Sequence, residues 1–110
     1  MSKEYIVVFC TCPDETSAET LAELVVEKVL AACVNIIPAI HSVFYWQGKI
    51  EKTQEVLLII KTMRTYYSEL EIMIRTHHPY ETPEIISCPI QQGFEGYLDF
   101  IQQSLERTLP

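Results

Sequence analysis

Two adjacent histidines, His77 and His78, stand directly before Pro79, and two cysteines, Cys10 and Cys12, close an apolar run near the N-terminus. Neutral imidazole and thiolate are both good ligands for copper and zinc. Neighbouring residues point about 100° apart on a helix and to opposite faces on a strand. Two adjacent histidines can therefore share one ion only where the backbone breaks. Proline at position 79 disfavours a helical residue at 78, so a break is predicted there. Cys10, His77 and His78 thus form a candidate three-ligand site for a soft metal. A plainer account competes with it. Histidine near a helix C-terminus complements the dipole and caps carbonyls. A cysteine inside an apolar strand is a small buried hydrophobe. No ligand spacing such as His-x3-His occurs.

Other chemistries find less support. Cys12 shares a strand face with Cys10 but precedes Pro13, which places it in the turn. Cys33 is expected at the end of the first helix and Cys88 in the last strand, both in structural roles. A Cys10–His78 nucleophile pair would need a depressed thiol pKa, and an apolar strand pushes the other way. Glu81 and Glu84 read equally well as a carboxylate pair or a solvated turn. Trp46, Lys61, Tyr80 and Glu81 could line a small-ligand cleft, with Trp46 alternatively packed under a neighbouring subunit. With only Gly48, Gly93 and Gly96 in the chain, there is no glycine-rich phosphate loop.

The elements that must position these residues follow from periodicity. Tyr5–Cys10 is short, apolar and β-branched, as a buried strand is. Asp14 to Ala32 carries Ala18, Leu21, Ala22, Val25 and Val29 on one helical face. Either a Thr16–Glu19 capping box or Asp14 caps it. From Asn35 to Thr62 two strand-like halves meet at Gln47-Gly48-Lys49, where Gly48 can supply a positive φ. Val56–Ile60 is apolar on both faces, as in a central strand. Pro38 and Ala39 interrupt the first half, which predicts a bulge or an edge. Tyr66 to His77 is helical through Tyr66, Leu70, Met73 and His77. Glu84 to Cys88 is a short strand ended by Pro89. Phe94, Tyr97, Leu98, Ile101 and Leu105 mark a last helix.

The order β-α-β-β-α-β plus a helix predicts an α+β, ferredoxin-like fold in one domain, 1–110. A tight turn cannot join parallel strands, which argues against a parallel α/β sheet. In this topology the last strand lies beside the first. The end of strand 1, the end of helix 2 and the hairpin tip then share one edge of the sheet. Each hairpin half could run about 12 residues, or ~40 Å, against a radius of gyration of ~13 Å for a chain this long. The tip, with Phe44, Tyr45, Trp46 and Ile50, must protrude. Exposed aromatics on a ribbon call for a covering chain, so a homo-oligomer is expected.

Composition bounds the partners. The chain has 110 residues, 48% hydrophobic and 21% charged, with a net charge of -7. Its eight basic residues are scattered, whereas phosphate binding needs them clustered. Nucleic acid is not an expected partner, nor is an anionic membrane. No apolar run reaches the ~20 residues of a membrane span. The run after Lys3 leads straight into Pro13-Asp14-Glu15, unlike a secretory signal. A cytoplasmic location is expected, with reduced cysteines.

Several blocks together carry a resemblance. Ala31-Ala-Cys-Val-Asn-Ile-Ile-Pro38, Ser42-Val-Phe-Tyr-Trp-Gln-Gly-Lys-Ile-Glu51, Glu55-Val-Leu-Leu-Ile-Ile-Lys-Thr62 and His78-Pro-Tyr-Glu-Thr-Pro-Glu-Ile85 closely resemble the CutA family of divalent-cation tolerance proteins. Cys10-Thr-Cys-Pro-Asp14 and Tyr97-Leu-Asp-Phe-Ile101 match as well. The resemblance implies a ferredoxin-like homotrimer, similar to the nitrogen-regulatory signal proteins. It implies a cytoplasmic protein tied to tolerance of copper and other divalent ions, with no established enzymatic activity. It assigns copper to the positions of Cys10, His77 and His78. The block His-Pro-Tyr-Glu also admits a structural or small-ligand role for His78, Tyr80 and Glu81.

Overall fold

The computed structural model describes residues 3–109. Its elements are β1 (Tyr5–Cys12), α1 (Glu15–Glu27), β2 (Cys33–Trp46), β3 (Lys49–Met63), a single 3-10 turn (Arg64–Tyr66), α2 (Tyr67–His77), β4 (Ile86–Pro89) and α3 (Glu95–Glu106). The four strands form one antiparallel sheet in the order β2-β3-β1-β4. This is the predicted ferredoxin-like arrangement, with β4 beside β1.

Strand alternation divides the sheet into two faces. Ile6, Val8, Cys10 and Cys12 of β1, with Val56, Leu58 and Ile60 of β3, are buried under α1 and α2. The helices contribute Ala18, Leu21, Ala22 and Val25 from α1, and Leu70 and Ile74 from α2. Full burial of one such side chain as Leu58 contributes roughly 1.5–3 kcal/mol. The opposite face, with Val7, Phe9, Leu57 and Ile59, is only half-covered within the chain. The helix α3 closes one end, packing Ile101 and Leu105 against Ala32 and Met63.

Several boundaries differ from the sequence expectation. The first helix stops at Glu27, not Ala32. Leu30 N–H bonds to the Val25 carbonyl and Val29 N–H to that of Val26, with Val29 at φ 59°. This is a Schellman-type cap, built on a β-branched valine where glycine is usual. Its N-terminus is capped by Asp14, whose Oδ1 accepts from Ser17 N–H at 2.7 Å. Cys33 therefore opens β2, half-buried, instead of ending a helix. Cys12 lies within β1, opposite Val56, and not in the turn. The last strand is Ile86–Pro89, and Cys88 on it is exposed. In α2 the buried face runs through Leu70 and Ile74, leaving His77 outside.

The hairpin is longer than expected, with strands of 14 and 15 residues. Gln47 (φ 48°) and Gly48 (φ 84°) both take positive φ, the requirement of a type I′ turn. A register shift between Ile37 and Ile40 places a bulge at Pro38-Ala39 on the edge strand. Because β1 ends opposite Val56, the β3 segment 49–55 and its β2 partners form a bare two-stranded ribbon. The molecule accordingly measures 46 × 32 × 22 Å, with a radius of gyration of 14.7 Å.

Candidate functional site

The strand β4 pairs only with Ile6 to Phe9 of β1. On that side the last residues of β1, Cys10 to Cys12, lose their strand neighbour. The irregular segment 78–85 takes its place. Pro79 forces His78 into an extended conformation (φ -80°, ψ 138°), so α2 ends at His77 and the chain turns across the sheet end.

His78 is the pivot of that crossing. Its Nδ1 accepts from Tyr80 N–H at 3.0 Å. The proton therefore belongs on Nε2, which donates to the Thr11 carbonyl at 2.8 Å. The imidazole thus replaces a missing ladder bond and holds one defined tautomer. Its ring stacks at a tilt on Tyr80, with centroids 5.0 Å apart. Tyr80 in turn donates its hydroxyl to Glu55 Oε2 at 2.8 Å. Burial, then this bond to Glu55, pushes the Tyr80 phenol up to about 12.

The same crossing assembles a compact donor set. The sulfurs of Cys10 and Cys12 and a ring nitrogen of His78 all lie within 4.8 Å of one another. Both cysteines are 0% exposed and His78 is 8% exposed. The two thiols interact. The hydrogen bond with Cys12 is the largest cause raising the Cys10 thiol, followed by burial and the negative charges around it. The same hydrogen bond lowers Cys12. A thiol held protonated in this way is a poor nucleophile, which weighs against a Cys10–His78 catalytic pair.

Of the residues singled out in the sequence, Cys10 and His78 come together. His77 does not join them. It is exposed, and its Nδ1 lies 2.9 Å from the Met73 carbonyl, the helix-end contact of the plainer reading. Cys12 joins instead. Its i, i+2 spacing from Cys10 was the available signal, since both then face the core side of β1.

The small-ligand set does not converge within one chain. Trp46 pairs with Lys49 at the hairpin tip, whereas Lys61 lies 12 positions further along β3, or ~40 Å. Lys61 bonds to Asn35, while Tyr80 faces Glu55. Glu81 is exposed. Glu55, a buried carboxyl beside Tyr80, was not foreseen as part of any site.

Comparison with known proteins agrees with this architecture. Residues 6–104 match the family model described as CutA1 divalent ion tolerance protein. Human protein CutA is 48% identical over 98 residues, 89% of this chain. The chain spans 55% of that relative's length. The crystal structure of CutA1 from Oryza sativa superposes with a TM-score of 0.92 at 38% identity, covering 96% of each chain. The periplasmic divalent cation tolerance protein CutA from Archaeoglobus fulgidus gives 0.90 at 39% identity, over 93% of this chain and 99% of its own.

Proposed function

Because the chain belongs to the CutA1 divalent ion tolerance protein family, we propose that it is a single-domain, non-enzymatic, trimeric copper-binding protein of the cytoplasm. The observation that carries the metal reading is the cluster of two sulfurs and one imidazole nitrogen at the end of β1. Two thiolates with an imidazole suit Cu(I), and the divalent affinity order favours Cu(II) over its neighbours. Cys10, Cys12 and His78 would hold the ion. His77, next along the chain with an exposed ring, is the donor that could capture it first. Ligation requires the thiols to lose their protons, so binding weakens as pH falls.

Assembly as a homotrimer is supported by the half-covered sheet face and by the apolar ribbon, where Val43, Phe44, Tyr45, Trp46 and Ile50 are all exposed. The four cysteines are free thiols, which suits a reducing compartment. The periplasmic relative from Archaeoglobus fulgidus points the other way, and cell fractionation decides between them. Among the described residues no helix is long and apolar enough to cross a membrane.

A second reading rests on Trp46 and Lys61. Their separation within one chain means that a small-molecule cleft containing both needs residues from two subunits. In that case the protein is a sensing trimer resembling the nitrogen-regulatory proteins, and copper is incidental. Equilibrium dialysis of the reduced protein separates the readings. One copper per chain is expected, lost in Cys10→Ser/Cys12→Ser and in His77→Ala/His78→Ala. Equal uptake by wild type and both double variants would remove the metal reading in favour of the sensing trimer.

A further inference from the structure

An ion cannot reach Cys10 or Cys12 in the structure as it stands. Both sulfurs are sealed, and most of what seals them is regular structure: β3 on one side and α1 and α2 above. The remaining cover is the 78–85 segment, which is neither helix nor strand. Besides the last bond of α2, from His78 N–H to the Ile74 carbonyl, three side-chain hydrogen bonds shape its near end. Two are made by the His78 ring: one ties it to the Thr11 carbonyl, and the other, from Tyr80 N–H, lies within the segment itself. Both sit directly at the thiols, so an ion entering must disturb them. The third, from the Tyr80 hydroxyl to Glu55 Oε2, is anchored beyond the end of β1, on a carboxyl that is 7% exposed. Local openings of few bonds and little buried surface are the low-energy excursions of a folded protein.

We infer that Tyr80 and Glu55 are positioning residues for the thiol site: their hydrogen bond holds the 78–85 segment closed over Cys10 and Cys12 and sets how fast an ion reaches them. The inference rests on the reading of Cys10, Cys12 and His78 as an ion site. It assigns Tyr80 no contact with the ion. It also gives a reason for a buried carboxyl at the base of the ribbon. A hydrogen bond to a carboxylate is stronger than one between neutral groups, so Glu55 makes a firm anchor that still releases without unfolding the sheet.

The test is native-state thiol labelling of the full chain with an aromatic disulfide reagent, in a Cys33→Ser/Cys88→Ser background that leaves only the sealed pair. Tyr80→Phe is expected to label about tenfold faster or more, given the usual strength of a hydrogen bond to a charged group. Its rate should stay flat in low urea, because a local opening exposes little surface. Glu55→Gln retains an acceptor for the tyrosine hydroxyl and should label at a rate between the two. A Tyr80→Phe rate equal to wild type overturns the inference. So does a faster rate that climbs with urea as steeply as global unfolding. The ion reading fails separately. If Tyr80→Phe labels fast while Cys10→Ser/Cys12→Ser still takes up copper normally, the closure stands without the metal. If copper uptake needs both thiols while Tyr80→Phe labels as wild type does, the site stands without this closure.

Discussion

The two halves of β3 follow different rules. From Val56 to Met63 every second side chain is buried by helices of the same chain. From Lys49 to Gln54 the strand has β2 for company and nothing else, and its apolar Ile50 is 62% exposed. The inner half is explained by the chain alone. The outer half spends hydrophobic and aromatic side chains on a ribbon too thin to bury them. What shapes the inner half is packing within the chain, whereas among the described residues nothing in one copy of the chain covers the outer half.

The sharpest way to break this contrast is to truncate both halves. Leu58→Ala should cost about 2–5 kcal/mol in chemical denaturation, because the fully buried side chain leaves a cavity. Val43→Ala, on the exposed ribbon, should stay within about 0.5 kcal/mol in dilute protein. Equal losses would mean that the ribbon is packed by its own chain. Next in size, Trp46→Ser with Ile50→Ser should weaken assembly by about 2 kcal/mol or more. Sedimentation velocity reads this as a shift to lighter species, with the fold retained by circular dichroism. An unchanged boundary would take the ribbon out of the interface.

The smallest effect belongs to α1, the helix that helps cover the inner half. Bonds from Ser17, its backbone N–H foremost, hold the Asp14 carboxyl below its ordinary value. A carboxyl depressed in the folded state adds stability above its unfolded pKa. That increment is lost as pH falls through the folded value. Thermal melts across the acid range should therefore decline less steeply in Asp14→Asn than in wild type. Parallel curves would show that the cap's charge contributes nothing.

Much of the fold was legible in the sequence. The order of elements, the central position of Val56–Ile60 and the buried face of α1 all follow from periodicity. Gly48 and Pro38 marked the turn and the bulge because each residue type restricts the backbone in a known way. The end of α1, capped through Val29, was hidden for the opposite reason. A left-handed cap normally advertises itself with glycine, and here valine fills it, so the apolar spacing ran on to Ala32. His77 was grouped with Tyr66, Leu70 and Met73 by helical spacing alone, and the structure leaves it exposed at the helix end. The actual core contact runs one residue after Met73, through Ile74. At the site, Cys10 and His78 could be brought together by topology. Cys12 was set aside because Pro13 suggested a turn one residue too soon. Glu55 left no local signal, since its partner Tyr80 lies 25 positions away.

The bulge at Pro38-Ala39 acts on the ribbon as a phase shift. Between Ile37 and Ile40 the strand β2 advances three residues while β3 advances two. Below it, odd residues of β2 share a face with odd residues of β3. Above it, Phe44 and Trp46 take that face, and Val43 and Tyr45 the other. Because β3 runs through this point without interruption, it alone fixes which way the outer side chains face, and the extra residue of β2 is absorbed locally as a bend. Removing one residue here would leave each outer pair and its face in place and straighten the ribbon, so this is the point of the hairpin where a change of length costs its side chains least.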